Sequence, residues 1–339
     1  MKVLIIRVGA LGDVLHALPA VAALRSARPD WEIDWVVDPR WAPLLAAMDT
    51  DGRGPHIRRV HIAETKQWSA KPLSWATARS ILKLRSAVNS ERYDIAVDMQ
   101  GTLRSSVIGS FAKARVFAGY SDPRESLARS LYGQPFTRRG THIVEQGMAL
   151  LAEASGVELI SSSVQLPYEG WAEDWARELV GERKICMLGA GGGWGAKQWP
   201  AQRYGELAQD LKAMGYTVLV NAPRKDDAVV ASVIHASNGA AERVVCNVAG
   251  LVALTRRAAL IVGGDTGPMH LAATFGIPVV ALFGPTSPER NGPWGPGPKI
   301  VLRDPNSLTT YKRTQVTEAG LAKISVWQVM EAVRTLGNW

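Results

Sequence analysis

The sequence predicts an α/β protein made of two tandem Rossmann-like domains facing a cleft. Three observations carry that prediction. Short runs of Val, Ile and Leu alternate with longer stretches of helical period, as units of strand, helix and parallel strand require. Glycine-containing turns stand directly between such a run and the helical stretch that follows it. The 339 residues are about twice the usual size of one domain. With 47% apolar and 21% charged residues the composition is that of an ordinary soluble protein, and no stretch reaches the roughly 18 apolar residues of a membrane span. Disorder and a transmembrane bundle are excluded. Cys186 and Cys246 lack CxxC spacing, which excludes a disulfide framework and a structural zinc site.

The elements follow in order. Val3 to Ile6 reads as the first strand, because Arg7 and Asp13 cut the apolar run too short for a signal peptide, and a cytoplasmic protein is expected. Leu15, Leu18, Val21, Ala22 and Leu24 form a helical stripe behind it. Ile33 to Val37 and Ile95 to Val97 are further strands of the first half. The pattern weakens over residues 156–180, where Pro167 and Gly170 interrupt it, so a domain boundary is placed there. The second half repeats the scheme with Ile185 to Leu188, Thr217 to Val220, Leu260 to Val262 and Pro278 to Phe283, and with a stripe of Tyr204, Leu207, Ala208 and Leu211. The expected units are 1–168, 169–320 and a last helical stretch, 321–339, crossing back to brace the first domain.

Three strand-to-helix turns hold the chemistry. In the first, Arg7 to His16, the glycines at 9 and 12 are too close for a dinucleotide fingerprint, and Asp13 reads either as a helix cap or as a carboxylate presented at the sheet's carboxyl end. In the second, Leu188 to Pro200, the glycines include Gly191 and Gly192 and expose backbone N–H groups, with Lys197 adding charge. The pair suits a phosphate, although a glycine-rich run can also be a plain surface turn. In the third, Gly263-Gly264-Asp265-Thr266-Gly267-Pro268-Met269-His270, Pro268 fits a first helical turn and Thr266 or Gly267 caps it. The free N–H groups make a second anion site, with His270 beside it as ligand contact or structural histidine.

Charge is uneven. Residues 1–140 hold 21 basic against 13 acidic residues and residues 141–339 hold 18 against 18, while residues 52–140 alone hold 16 against 6. Such a surface suits an anionic partner or a negatively charged membrane, or is a solvated basic face; no nucleic-acid-binding signature accompanies it.

The segments GDVLHALPA, Lys197-Gln198-Trp199-Pro200, GGDTGPMHLAA and Phe283-Gly284-Pro285-Thr286-Ser287-Pro288 together resemble the lipopolysaccharide heptosyltransferases, family 9 of the glycosyltransferases. The resemblance covers nearly the whole chain and is nearest to the members that add the first heptose to the 3-deoxy-octulosonate (Kdo) of lipid A. It implies a glycosyltransferase-B fold, an ADP-heptose donor held by the second domain and a Kdo-lipid A acceptor held by the first. Asp13 would then be the general base. Lys197, Thr266 and Gly267 would hold the diphosphate with the loop at Gly191 and Gly192, Asp265 the heptose hydroxyls, His270 the sugar-phosphate region, and Asp226 or Asp227 the ribose. Arg7, Arg58, Arg59, Lys66, Arg104 and Arg124 fall in acceptor-binding-like segments. A monomer touching the cytoplasmic face of the inner membrane is implied. No cofactor is expected to be required: Asp49-Thr50-Asp51 is formally a DxD, but reads as a loop, so magnesium is not expected to be essential. The rival readings are a family member with a different sugar acceptor, a non-catalytic nucleotide-binding protein, and a nicotinamide dehydrogenase, which the missing GxGxxG disfavours.

Overall fold

The computed structural model describes residues 1–50, 53–191, 194–310 and 314–337. The chain divides into two compact units, Met1–Tyr168 and Glu169–Trp339. The first holds β1 (Lys2–Ile6), β2 (Glu32–Val37), β3 (Arg59–Ile62), β4 (Ile95–Asp98), β5 (Val116–Tyr120) and β6 (Gln134–Phe136) in one sheet of order β3-β2-β1-β4-β5-β6. The second holds β7 (Ile185–Gly189), β8 (Thr217–Ala222), β9 (Ala241–Val245), β10 (Leu260–Gly264), β11 (Val279–Phe283) and β12 (Lys299–Arg303) in the order β12-β11-β10-β7-β8-β9. Every pairing in both sheets is parallel.

The central strands β1, β4, β7 and β10 are apolar apart from Lys2 and Asp98, because helices cover both faces. Leu4, Ile6, Val36 and Ala96 pack under Trp68, Leu84, Val88 and Ile108 in the first unit. In the second, Cys186, Leu188, Val218, Val220, Val262 and Leu282 pack under Tyr204, Leu207 and Leu211 of helix Ala201–Ala213. Trp199 and Pro200 close the turn that follows β7 in the second unit. Trp199 is buried, its indole N–H donates to the Ile324 carbonyl at 3.0 Å, and its ring meets Tyr204 edge-to-face at 4.9 Å. Pro200 then caps the helix that begins at Ala201.

In the last helix, Val326–Gly337, the side chains of Val329, Met330, Val333 and Leu336 lie on one face and enter the second unit's core. Polar ties hold its approach, since Arg203 donates to the carbonyls of Ala322 and Ile324. The apolar stripe is matched by helix Ala201–Ala213 and by β11 and β12, so its burial is satisfied locally.

Trp199 is therefore the hub of three segments. Trp199→Ala is expected to cost about 3 to 5 kcal/mol, the usual range for emptying a buried aromatic site. The check is a lowered urea midpoint, with Trp199→Phe recovering most of it except the bond to Ile324.

Candidate active site

In each sheet the first strand is flanked by strands reached in opposite directions, β2 and β4 around β1, and β8 and β10 around β7. Loops leaving two such neighbours part at their carboxyl ends and open a crevice. The three sequence motifs all lie at these points: the first turn follows β1, the second follows β7, and the third follows β10.

In the second unit the chain leaves β7 through Ala190 and Gly191 and returns through a short 3-10 turn, Gly195–Lys197. Gly192 lies outside the described residues. Close backbone approach fixes this turn. A Cβ on Gly264 would lie 2.8 Å from the Lys197 carbonyl oxygen, and one on Gly195 would lie 2.3 Å from the Gln315 carbonyl oxygen, so each position needs glycine. The Ala196 N–H donates to the Thr314 carbonyl at 3.1 Å, and the Glu318 N–H donates to the Ala196 carbonyl at 3.2 Å.

The lysine so placed meets the end of β10. Lys197 Nζ lies 2.6 Å from Asp265 Oδ2, and the Thr286 hydroxyl donates to the same oxygen at 2.8 Å. His270 Nε2 lies 2.8 Å from Asp265 Oδ1. Lys197 also sits 4.7 Å from the centre of the Trp194 ring. Burial alone would push the Asp265 carboxyl up. The hydrogen bond and charge of His270 and the charge and hydrogen bond of Lys197 outweigh that and hold it well below the usual carboxylate range.

Thr266 precedes helix Gly267–Phe275 in extended backbone and its side chain does not cap it; its buried Oγ1 meets no hydrogen-bond partner. A free hydroxyl, the first N–H groups of a nine-residue helix and an ammonium group thus share one site, the donor set of an anion site. Of the expected ribose carboxylates, Asp227 caps helix Ala228–Ala236 through Val230 N at 3.0 Å, and Asp226 is exposed beside Arg224 at 3.4 Å. Thr286 and Trp194 were not picked out from sequence. The signal for Thr286 was its place just after the last core strand.

In the first unit Asp13 stands in the first turn of helix Leu11–Ala27 and caps its start. One oxygen, Oδ2, accepts from Ala10 N at 2.9 Å as a helix-start cap, and the other lies 2.7 Å from the guanidinium of Arg7. Arg7 is itself buried and donates to the Met99 carbonyl. The loop that supplies Met99 hangs on a residue the sequence reading missed. Asp98, fully buried at the end of β4, accepts from Gln100 N at 2.8 Å, Gly101 N at 3.1 Å, Ser105 Oγ at 2.8 Å and Tyr132 OH at 2.8 Å. Burial pushes its carboxyl up against the pull of those four donors. Gln100 Oε1 in turn accepts from Val8 N at 2.8 Å, fastening this loop to the Arg7 turn. His16 and His142, edge-to-face at 5.7 Å, stand close by, and His16 lines the recess at Asp13 with Arg7, Met99 and Tyr120.

The expected acceptor residues divide. Lys66 follows β3 in helix Thr65–Ala70, Arg104 follows β4 in helix Leu103–Ser110, and Arg124 follows β5; all three are exposed on loops or first turns at the carboxyl edge with Arg7. Arg40, which sequence reasoning missed, lines a recess with Lys66 after β2 and pairs with Asp38 at 2.7 Å. Arg58 and Arg59 stand apart from these. They stand at the amino end of β3, where Arg58 bonds Asp34 at 3.0 Å and Glu91 at 2.6 Å, and Arg59 pairs with Glu91. Buried Asp34 also accepts from Tyr93 at 2.6 Å. Burial pushes its carboxyl up, but the bonds from His61, Arg58 and Tyr93 prevail and hold it at about 2.

Among the described residues no three His, Cys, Asp or Glu side chains gather as metal ligands would. Asp51 and the side chain of Asp49 lie outside what is described.

Because the folded Asp34 titrates below its unfolded value of about 3.9, it adds stability above that pH and loses it as pH falls towards 2. Arg58→Ala leaves this buried carboxylate short of a partner and is expected to destabilise by about 3 kcal/mol at neutral pH. Thermal melts from pH 6 to pH 3 should show the wild-type advantage shrinking. Turnover below the melt should be unchanged, which separates a structural arginine from a substrate contact.

A family model described as "Glycosyltransferase family 9 (heptosyltransferase)" matches residues 81–319. The chain is 29% identical over 301 residues to lipopolysaccharide heptosyltransferase 1 of Pseudomonas aeruginosa, covering 87% of this chain and 82% of that one. Among solved structures it resembles E. coli heptosyltransferase WaaC with ADP, at TM-score 0.81 and 22% identity over 99% of this chain and 100% of that one. It also resembles E. coli ADP-heptose lps heptosyltransferase II, at TM-score 0.76 and 22% identity over 99% and 98% of the two chains.

Proposed function

Since the chain belongs to glycosyltransferase family 9, we propose that it moves heptose from ADP-L-glycero-D-manno-heptose to the Kdo of Kdo-lipid A, with inversion and with Asp13 as general base. The observation that carries this reading is the anion site of the second unit: Lys197, Thr266 and the start of helix Gly267–Phe275 around the Asp265 carboxylate.

In the reaction the acceptor hydroxyl loses its proton to Asp13 as its oxygen bonds to the anomeric carbon. The bond from that carbon to the ADP oxygen breaks on the opposite face, which inverts the centre. Negative charge grows on the leaving diphosphate, where Lys197, the Thr266 hydroxyl and the helix N–H groups oppose it. Asp265, kept ionised by His270 and Lys197, accepts from heptose hydroxyls; His270 adds a contact at the sugar phosphate; Asp226, exposed beside Arg224, is the carboxylate for ribose. These cationic and backbone donors do the work a divalent ion would, so magnesium is not required. Arg7 both holds Asp13 and, with Lys66, Arg104 and Arg124, faces the carboxylate and phosphates of the acceptor. No helix among the described residues is long and apolar enough to cross a membrane; on the proposed reading the enzyme works at the cytoplasmic face of the inner membrane and touches it peripherally. The likeness to heptosyltransferase II favours one second reading, the same donor with a different sugar as acceptor. ADP release with Kdo-lipid A, and with its heptosylated product, distinguishes the two.

Asp13→Asn preserves the shape of the cap and is expected to lower turnover at least ~100-fold with ADP affinity nearly unchanged. Lys197→Ala should weaken ADP binding in calorimetry and slow the chemical step, partly, because Thr266 and the helix start share its role.

Salt separates the two substrates. Raising it from about 50 to about 500 mM shortens the Debye length from roughly 14 to roughly 4 Å and should raise the acceptor KM. The donor KM should move less, since fixed backbone donors hold its phosphates. Arg124→Gln should act as salt does; equal shifts in both KM values would refute the division of labour.

A further inference from the structure

The first unit carries an apolar feature that its core does not use. Leu73 is 99% exposed and Trp75 is 79% exposed. They do not sit on a loose loop. The Ser74 N–H and the Thr77 hydroxyl both donate to the Lys71 carbonyl, at 3.2 and 2.7 Å, and Ser74 caps helix Trp75–Ser90 through Thr77 N. Thr77 is buried, so this turn is anchored from inside while its two large apolar side chains point to water. Leu82, two helical turns beyond Trp75, continues the exposed stripe at 57% exposure.

The charges carried by this segment are of one sign, while Glu64, which precedes it, is half-buried and accepts from Ser80 Oγ at 2.7 Å. Between Glu64 and Glu91 the sequence has five basic residues and no acidic one. Lys71, Arg79 and Lys83 flank Leu73, Trp75 and Leu82, and all three are exposed. Position matters as well. The segment leaves the carboxyl end of β3 and the helix carries the chain back to the amino end of β4, so Leu73 and Trp75 stand at the edge that also presents Lys66.

We infer that the turn at Leu73 and Trp75, with the first two turns of the following helix, docks on an anionic lipid bilayer and sets this edge of the first unit against it. Tryptophan and leucine at the headgroup level with lysine and arginine beside them are what an interfacial anchor needs. A neighbouring protein of ordinary mixed charge would meet a field of one sign, whereas an acidic leaflet matches it throughout. The inference rests on the reading that the acceptor is lipid-linked, and says which surface reaches the lipid.

Sedimentation with vesicles tests it, using the full chain and two lipid compositions: phosphatidylcholine alone, and equal parts of phosphatidylcholine and phosphatidylglycerol. Wild type should pellet with the anionic vesicles and stay in solution with the neutral ones. A double variant, Leu73→Ser with Trp75→Ser, should lower the anionic partition coefficient at least about tenfold. A triple variant, Lys71→Gln, Arg79→Gln and Lys83→Gln, should lower it by a similar factor or more and remove its salt dependence. Turnover on a detergent-free, delipidated acceptor should be the same in all three proteins, which also shows that they fold. Wild-type and double-variant proteins that pellet equally would overturn the inference. So would a concentration-dependent dimer that the double variant loses, because the patch would then bind a second copy of the chain. Absence of heptose transfer in wild type that still binds anionic vesicles would instead count against the proposed reaction and leave the docking surface standing.

Discussion

Every strand in both sheets runs in the same sense as its neighbours, so each crossover must carry the chain back over a face before the next strand can begin. The loops consequently collect at two edges with different duties. At the carboxyl edge the strand ends release Arg7, Asp13, Lys66, Arg104 and Arg124 in one unit and Lys197, Asp265 and Thr286 in the other. At the amino edge of the first sheet Lys2, Arg58 and Arg59 meet Glu32, Asp34 and Glu91 and neutralise one another. The basic excess of the first half is thus smaller as a working field than it is as a count.

The buried carboxylates show how that division is enforced. Asp34 and Asp265 each face cationic partners, and both titrate below the ordinary range despite burial. Asp98 is equally enclosed but receives only neutral donors, two backbone N–H groups and the hydroxyls of Ser105 and Tyr132, and burial wins. The first two are permanent charges, one structural and one in the site. The third is a scaffold whose donors decide where Met99 and Gln100 present their oxygens to Arg7 and Val8. Glu173 is likewise buried and pairs with two cations, Arg256 and Arg257. In each case the cost of burying charge is met by partners placed by secondary structure, which is why removing one partner is dearer than the pair is worth.

Much of this was legible. Central strands are buried on both faces and read as unbroken apolar runs, and a glycine turn between strand and helix marks the crevice, so Asp13, Lys197 and Asp265 could be named before any coordinates. Edge strands were not: β9 and β12 have exposed residues along their length and show no clean run. Arg58 and Arg59 resembled acceptor-binding residues by segment, but which end of a strand a residue occupies depends on where pairing starts, and sequence spacing does not say. The last helix showed its apolar stripe plainly. Its partner could not be read, because the Trp199 and Arg203 bonds to carbonyls of residues 322–324 are made across more than a hundred residues. Asp98 was invisible for a related reason, since a carboxylate's donors are three-dimensional neighbours.

The turn that bears Lys197 is stitched to residues 314–318 on both sides of Ala196, with Gly195 pressed flat against Gln315. A lysine of the candidate site near the middle of the chain is therefore indexed by a segment almost at its end. The coupling has a consequence for assembly: a nascent or clipped chain that ends after β12 can pair every strand of its second sheet, yet it lacks both backbone hydrogen bonds at Ala196 and the wall that Gln315 sets against Gly195.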